Sequence, residues 1–153
     1  MKALIVYDTK YGNTEKVAKL IAEGITSIEG NEVIVSNVKN VILKKAASYD
    51  LLLIGSPNHF GRHTGTIKKF IKKLPNSQLK VNSFTVFDTY ITADFEKAVK
   101  KMEEQITELM PNLTKASSGL SIKVEGTGPS KGPIVNEELP KCKEFGIKLV
   151  QEK

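Results

Sequence analysis

The sequence predicts a doubly wound α/β domain, a five-stranded parallel sheet of order 2-1-3-4-5 inside a three-layer α/β/α arrangement, and three observations carry that expectation. Apolar, β-branched runs alternate with helix-period segments along all 153 residues. The first, third and fourth runs are almost uninterruptedly apolar, as strands covered on both faces are. The connections between runs are short, so residues 1–153 read as a single domain.

The elements follow in order. Ala3–Tyr7 is the first strand, and Val17, Leu20, Ile21 and Ile25 give a helix that opens near Asn13. Val33–Val35 is the second strand, followed by an expected helix over Val41–Ala47. Leu51–Ile54 is the third strand and Ile67–Leu74 the next helix. Phe84–Phe87 is the fourth strand, and Thr92 or Asp94 is expected to cap a helix over Phe95–Leu109. Leu120, Ile122 and Val124 alternate, which suits an edge strand, and Phe145–Val150 is the last helix. The Gly- and Pro-rich stretch from Gly126 to Pro133 reads as a connector that can rim a site.

Composition narrows the function classes. There are 23 basic and 17 acidic residues, a net charge of +6, so anionic partners enter consideration. Arg62 is the only arginine, and lysine is a point charge without the planar fork that reads bases or phosphates, which argues against sequence-specific nucleic-acid binding. Cys142 is the only cysteine, so an intrachain disulfide and a cysteine-built zinc site are excluded, and a cytoplasmic setting is the expectation. No apolar run is long enough to span a membrane.

In a 2-1-3-4-5 sheet, ligands sit at the carboxyl ends of strands one and three, where the winding reverses. After the first strand come Thr9, Lys10, Tyr11, Gly12, Asn13 and Thr14. Helix-start amides, a favourable dipole and hydroxyl donors around one turn make an anion cradle, and Gly12 permits the turn. The plainer alternative is that Asn13 or Thr14 caps the helix, worth about 1 kcal/mol. The stretch lacks both the GxxxxGK pattern of nucleotide triphosphatases and the GxGxxG pattern of dinucleotide sites, so it suits a terminal phosphomonoester.

Thr9–Thr14 resembles the flavodoxin phosphate loop, Ser/Thr-x-Ser/Thr-Gly-x-Thr, with Tyr11 standing where a hydroxyl residue is usual. Gly55-Ser56-Pro57-Asn58-His59-Phe60-Gly61 is similar to the flavin-ring loop of the same fold, and the resemblance covers nearly the whole chain. It implies a flavodoxin-like, short-chain FMN protein. By that resemblance Phe60 or His59 supplies an aromatic face, and Pro57, Asn58 and Gly61 present backbone groups to the ring edge. Asp88, Thr89 and Tyr90 after the fourth strand would meet the ring's other side, Tyr90 either stacking on it or packing in the protein. The family's Gly-Asp-Ser in this loop is missing. Arg62 is either a solvated charge or a cation that favours the reduced flavin, and a metal bound by His59 and His63 is disfavoured because no carboxylate or cysteine accompanies them in the loop.

The resemblance implies an electron carrier that shuttles electrons between redox partner proteins and has no catalytic side chain. The basic charge makes acidic partners the expectation; neither nucleic acid nor a membrane span is expected. Two alternatives stand beside it. An FMN-dependent oxidoreductase of quinone reductase or porphyrinogen oxidase type shares the fold, and Asn58-His59-Phe60-Gly61 looks like the Thr-Arg-Phe-Gly turn of such reductases. A flavin-free binding domain would use the lysine face of Lys68, Lys69, Lys72 and Lys73.

Overall fold

The computed structural model of the chain describes residues 1–126 and 131–151. Its sheet is parallel throughout, in the order β2 (Glu32–Asn37), β1 (Lys2–Tyr7), β3 (Ala47–Pro57), β4 (Leu79–Tyr90). The expected 2-1-3-4-5 order is therefore present, but the fifth position is filled by two short segments, β5 (Thr114–Lys115) and β6 (Leu120–Lys123), both paired with β4. Between those paired segments the edge carries four residues where β4 has two, so 116–119 bulge outward. Gly119 is needed there, since a Cβ would lie 2.5 Å from Val99 Cγ1. The sequence pattern revealed β6 and missed β5, whose two residues are both exposed and show no apolar alternation.

Period-two alternation divides each central strand between two cores. Ala3, Ile5 and Tyr7 of β1 and Leu51 and Leu53 of β3 face helices α1 (Asn13–Thr26) and α4 (Leu139–Gln151). Leu4 and Val6, with Leu52 and Ile54, face α2 (Gly65–Lys73) and α3 (Lys97–Leu109). Two helices thus cover each face. Backbones of α1 and α4 touch: a Cβ on Gly24 would fall 2.1 Å from the Lys143 carbonyl oxygen, and one on Gly146 2.2 Å from that of Ile21.

The helix expected over Val41–Ala47 does not form. Val38–Asn40 make one 3-10 turn, its start capped by the Asn37 side chain accepting from Lys39 N, and Ala47 already belongs to β3. Val38, Val41 and Leu43 still pack on the second core, and Leu43 O accepts from Gln78 N at 2.8 Å. Seven residues make barely two turns, too few to recover the cost of helix nucleation when an extended path buries the same side chains.

Helix boundaries also shift. α3 starts at Lys97, because Thr92 (φ 54°) and Glu96 (φ 60°) adopt left-handed backbone that breaks the helix before it. Neither Thr92 nor Asp94 caps it with a side chain; the Asp88 carboxylate accepts from Val99 N at 3.0 Å instead. α4 opens at Leu139, six residues before the expected start, with Pro140 in its first turn, where a missing N–H costs nothing. The connector from Gly126 to Pro133 lies partly outside the described residues, at 127–130; its ends return antiparallel, with Glu125 N donating to Pro133 O.

Candidate functional site

Parallel strands bring the ends of β1, β3 and β4 to one crest, where Tyr7 lies beside Gly55 and Pro57 beside Thr89. Loops leaving these strands enclose a small concavity lined by Thr9, Lys10, Tyr11, Asn13, Thr14, Pro57 and Thr89. The first and third of the expected loops, with the start of the second, are thus brought together.

Thr9 Oγ1 accepts from Gly12 N at 2.9 Å, closing the turn, and Gly12 at φ 94° occupies backbone space that a side chain resists. The N-cap position of α1 is Gly12, and among the described residues it makes no side-chain capping bond; Asn13 and Thr14, the expected caps, lie inside the helix. Asn13 Nδ2 instead donates to Gly132 O at 2.8 Å and ties the loop to the last connector. Thr14, buried, shares a 2.9 Å hydrogen bond with the Thr89 hydroxyl. A hydroxyl from the first turn of α1 and one from the end of β4 thus meet at the start of a helix, whose dipole favours an anion. Positive charge stands close by: Lys10 Nζ and Lys131 Nζ lie 5.5 and 5.4 Å from the Tyr11 ring centroid.

The second loop is a tight hairpin. His59 and Arg62 exchange backbone hydrogen bonds of 2.8 and 3.1 Å, and Phe60 (φ 53°) and Gly61 (φ 82°) form the turn between them. The Phe60 side chain is 99% exposed and lies outside the concavity, as does His59. Asn58 is buried, its N bonded to Thr89 O (2.8 Å) and its Nδ2 to Asp94 Oδ2 (2.8 Å). Its Oδ1 has no hydrogen-bond partner among the described residues. A buried amide oxygen left so costs about 1–3 kcal/mol, which a ligand N–H would recover.

Strand alternation separates the three residues expected after the fourth strand. Thr89 meets Thr14 of α1 and lines the concavity, whereas Asp88 bonds to α3 and Tyr90 packs against Phe95. Asp88 is fully buried, accepting from the Ser121 hydroxyl at 2.5 Å and from Val99 N. Burial pushes its carboxyl up to about 7, against which the Ser121 and backbone hydrogen bonds act. Its atoms are committed to α3 and β6, so in this structure it is a buried cap rather than a group lining the concavity. Tyr90 packs edge-on against Phe95, ring centroids 5.5 Å apart. Arg62 and His63 line a separate groove between α2 and α3. His63 Nε2 lies 2.7 Å from Gln105 Oε1, and burial first, then the Lys68 and Arg62 charges, lowers the ring's proton affinity.

Several supporting residues were not foreseen from the sequence. The Thr64 hydroxyl donates to Asp8 Oδ2 at 2.7 Å and accepts from Ile67 N, joining β1's end to the start of α2. Asp94 anchors Asn58 and pairs with Lys97 at 3.1 Å. Thr64 carried a local signal, a threonine three residues before the first apolar position of a helix, and Asp94 was expected as a cap rather than as the anchor of Asn58.

A doubly wound α/β protein with a hydroxyl-lined, cation-flanked concavity at its topological switch point is a class built to hold an anionic ligand. Within that class the chain belongs to the flavodoxin family: the family described as Flavodoxin domain matches residues 4–120. The flavodoxin of Aquifex aeolicus is 41% identical over 69 residues, which are 45% of this chain and 37% of that protein. The match therefore spans little more than a third of that curated relative's length. Among solved structures, a flavodoxin from the domain Archaea matches with a TM-score of 0.77 and 24% identity over 99% of this chain and 98% of its own. Flavodoxin 1 from Bacillus cereus matches with a TM-score of 0.76 and 21% identity over 100% and 99%. Proteins of the family bind FMN. The residues present fit that group: hydroxyls and lysines suit a phosphate, and the unpartnered Asn58 Oδ1 suits a ring N–H.

Proposed function

We propose that the chain is an FMN-dependent electron carrier that passes electrons between redox proteins. The observation that carries this reading is the meeting of the Thr14 and Thr89 hydroxyls at the uncapped start of α1, inside a concavity flanked by Lys10. Bound there, FMN supplies one-electron chemistry. Thr9 holds the turn closed through Gly12, and the Thr14–Thr89 pair presents hydroxyls to the phosphate. Asn58, fixed by Asp94, offers an amide oxygen, and Gly61 lets the hairpin peptide reorient at little conformational cost. His59, Phe60 and Tyr90 complete the proposed ring environment, Phe60 being the exposed aromatic of the hairpin turn. Asp88 acts one step removed, by fixing α3 and so the Asp94 that holds Asn58.

Cys142 supports a flavin rather than a thiol as the redox group, since burial pushes its thiol up to about 12; a cytoplasmic setting is part of the same reading. No helix among the described residues is long and apolar enough to cross a membrane.

FMN titration tests the reading. The purified chain is expected to quench FMN fluorescence and show a flavin visible spectrum. Thr14→Val is expected to weaken FMN by about tenfold or more while leaving riboflavin within about twofold, because a hydroxyl to a charged phosphate is worth about 1.5–3 kcal/mol. Equal loss for both ligands would move the phosphate elsewhere. Steady-state reduction of a quinone by a nicotinamide without a second protein would replace the carrier with the enzyme.

A further inference from the structure

Charge on this chain is strongly segregated. Between Asn37 and Ile91 there are eight lysines and Arg62, and the only carboxylates are Asp50 and Asp88. Asp50 sits near the start of β3, away from its crest end, where it accepts from Lys2 N at 2.7 Å, and Asp88 is fully buried; neither forms an ion pair with the α2 lysines among the described residues. Its most concentrated part is α2. Ile67, Phe70 and Ile71 face the core, and Lys68, Lys69, Lys72 and Lys73 are exposed. Among the described residues none of these four lysines, nor Arg62, is in an ion pair.

Folding accounts for only part of that arrangement. Lys68 with Lys72, and Lys69 with Lys73, are like-charge pairs one turn apart, each destabilising an exposed helix by about 0.2–0.5 kcal/mol. Lys72 and Lys73 gain from the helix C-terminus, whereas Lys68 and Lys69 sit nearer the positive end of the dipole. The face has direction as well. Thr64 pins its start to the crest through Asp8, and there Arg62 and Lys68 line one groove with Lys101, bounded by Glu104 and Glu108 of α3. At its far end, about 13 Å away along nine residues, Lys72 and Lys73 line another with Lys44.

We propose that the lysine face of α2, with Arg62 at its crest end, docks an acidic protein whose exposed one-electron centre is thereby held over the crest. This rests on the electron-carrier reading and names the chemistry of the partner. Each transfer moves one electron from the reduced centre of one protein to the oxidised centre of the other. A lipid surface fits less well, because the apolar residues of α2 are spent on the core and none faces outward with the lysines. A nucleic acid fits less well, because four lysines without an aromatic platform on that helix supply no stacking.

The test uses the FMN-loaded chain and two probes of opposite charge, an acidic plant-type ferredoxin and a basic cytochrome c, with binding read by calorimetry at low and high ionic strength. Binding of the ferredoxin at low ionic strength, lost at high, is expected, and none to the cytochrome. The double variant Lys68→Glu/Lys72→Glu is expected to lower ferredoxin affinity about tenfold or more, with Lys148→Glu on α4 changing it less than about twofold. Unchanged circular dichroism and FMN quenching in each variant show that fold and cofactor site survive. The proposal is overturned if the ferredoxin does not bind, if the double variant binds it like the parent, if Lys148→Glu loses as much, or if phosphatidylserine vesicles or a DNA duplex bind more tightly. The titration is repeated without FMN, so failure to hold FMN strikes the carrier reading alone.

Discussion

Asp88 and His63 give the chain two opposed responses to pH. The Asp88 carboxyl rises from 3.8 to about 7 in the folded protein because burial disfavours its charge. The native state then holds a proton that the unfolded chain has released, so the contribution is fully present below about pH 4 and is lost as pH rises through about 7. His63 works the other way: burial lowers it from 6.5, so its contribution is present above that value and is lost as pH falls through the folded one. Denaturant unfolding of Asp88→Asn is therefore expected to fall less between about pH 4 and about pH 7 than the parent, and His63→Gln to lose less stability on acidification. The sequence put Asp88, Thr89 and Tyr90 together as one group. Strand alternation was the available signal that separates them, since Asp88 shares its side of β4 with Phe84 and Val86, and Thr89 shares its side with Phe87.

Among the elements, the long apolar ones were legible and the short ones were not. β1, β3, β4, α1 and α2 announce themselves because burying a whole face or two forces a periodic pattern. β5 carries no such period, and over 41–46 the apolar spacing suggested a helix that does not form, because both stretches are held by neighbours already in place, such as Phe84 O and Gln78 N. The α1–α4 contact shows how sharply packing acts where periodicity is silent. Gly24→Ala is expected to lower unfolding stability by about 1–3 kcal/mol, against a negligible change in packing for Gly65→Ala, whose Cβ would meet nothing within 4 Å. The 59–62 hairpin offers the reverse experiment. Phe60 holds a positive φ in a turn type that favours Asn-Gly, so Phe60→Asn is expected to raise thermal stability by about 0.5–1 kcal/mol in the protein without FMN.

For the whole molecule, ligand linkage gives a measure independent of any partner. FMN at about 100 times its dissociation constant is expected to stabilise the native state by about 2.7 kcal/mol, raising the melting temperature by about 5–10 °C in a domain of this size, with Thr14→Val losing about half of that rise or more at equal FMN. The sheet order, the switch point and the crest loops were all readable from the alternation of strands and helices. The identity of the groups that brace the crest was not, because Asp8 to Thr64, Asn58 to Asp94 and Asn13 to Gly132 join residues 36 or more apart in sequence. That last bond, with the bare backbone crossing of Gly24 and Gly146, sets an order of events during synthesis. The phosphate turn opens α1 early in the sequence, yet α1 leans on a helix made from residues 139–151, so the cradle stays unbacked until translation has passed that far segment.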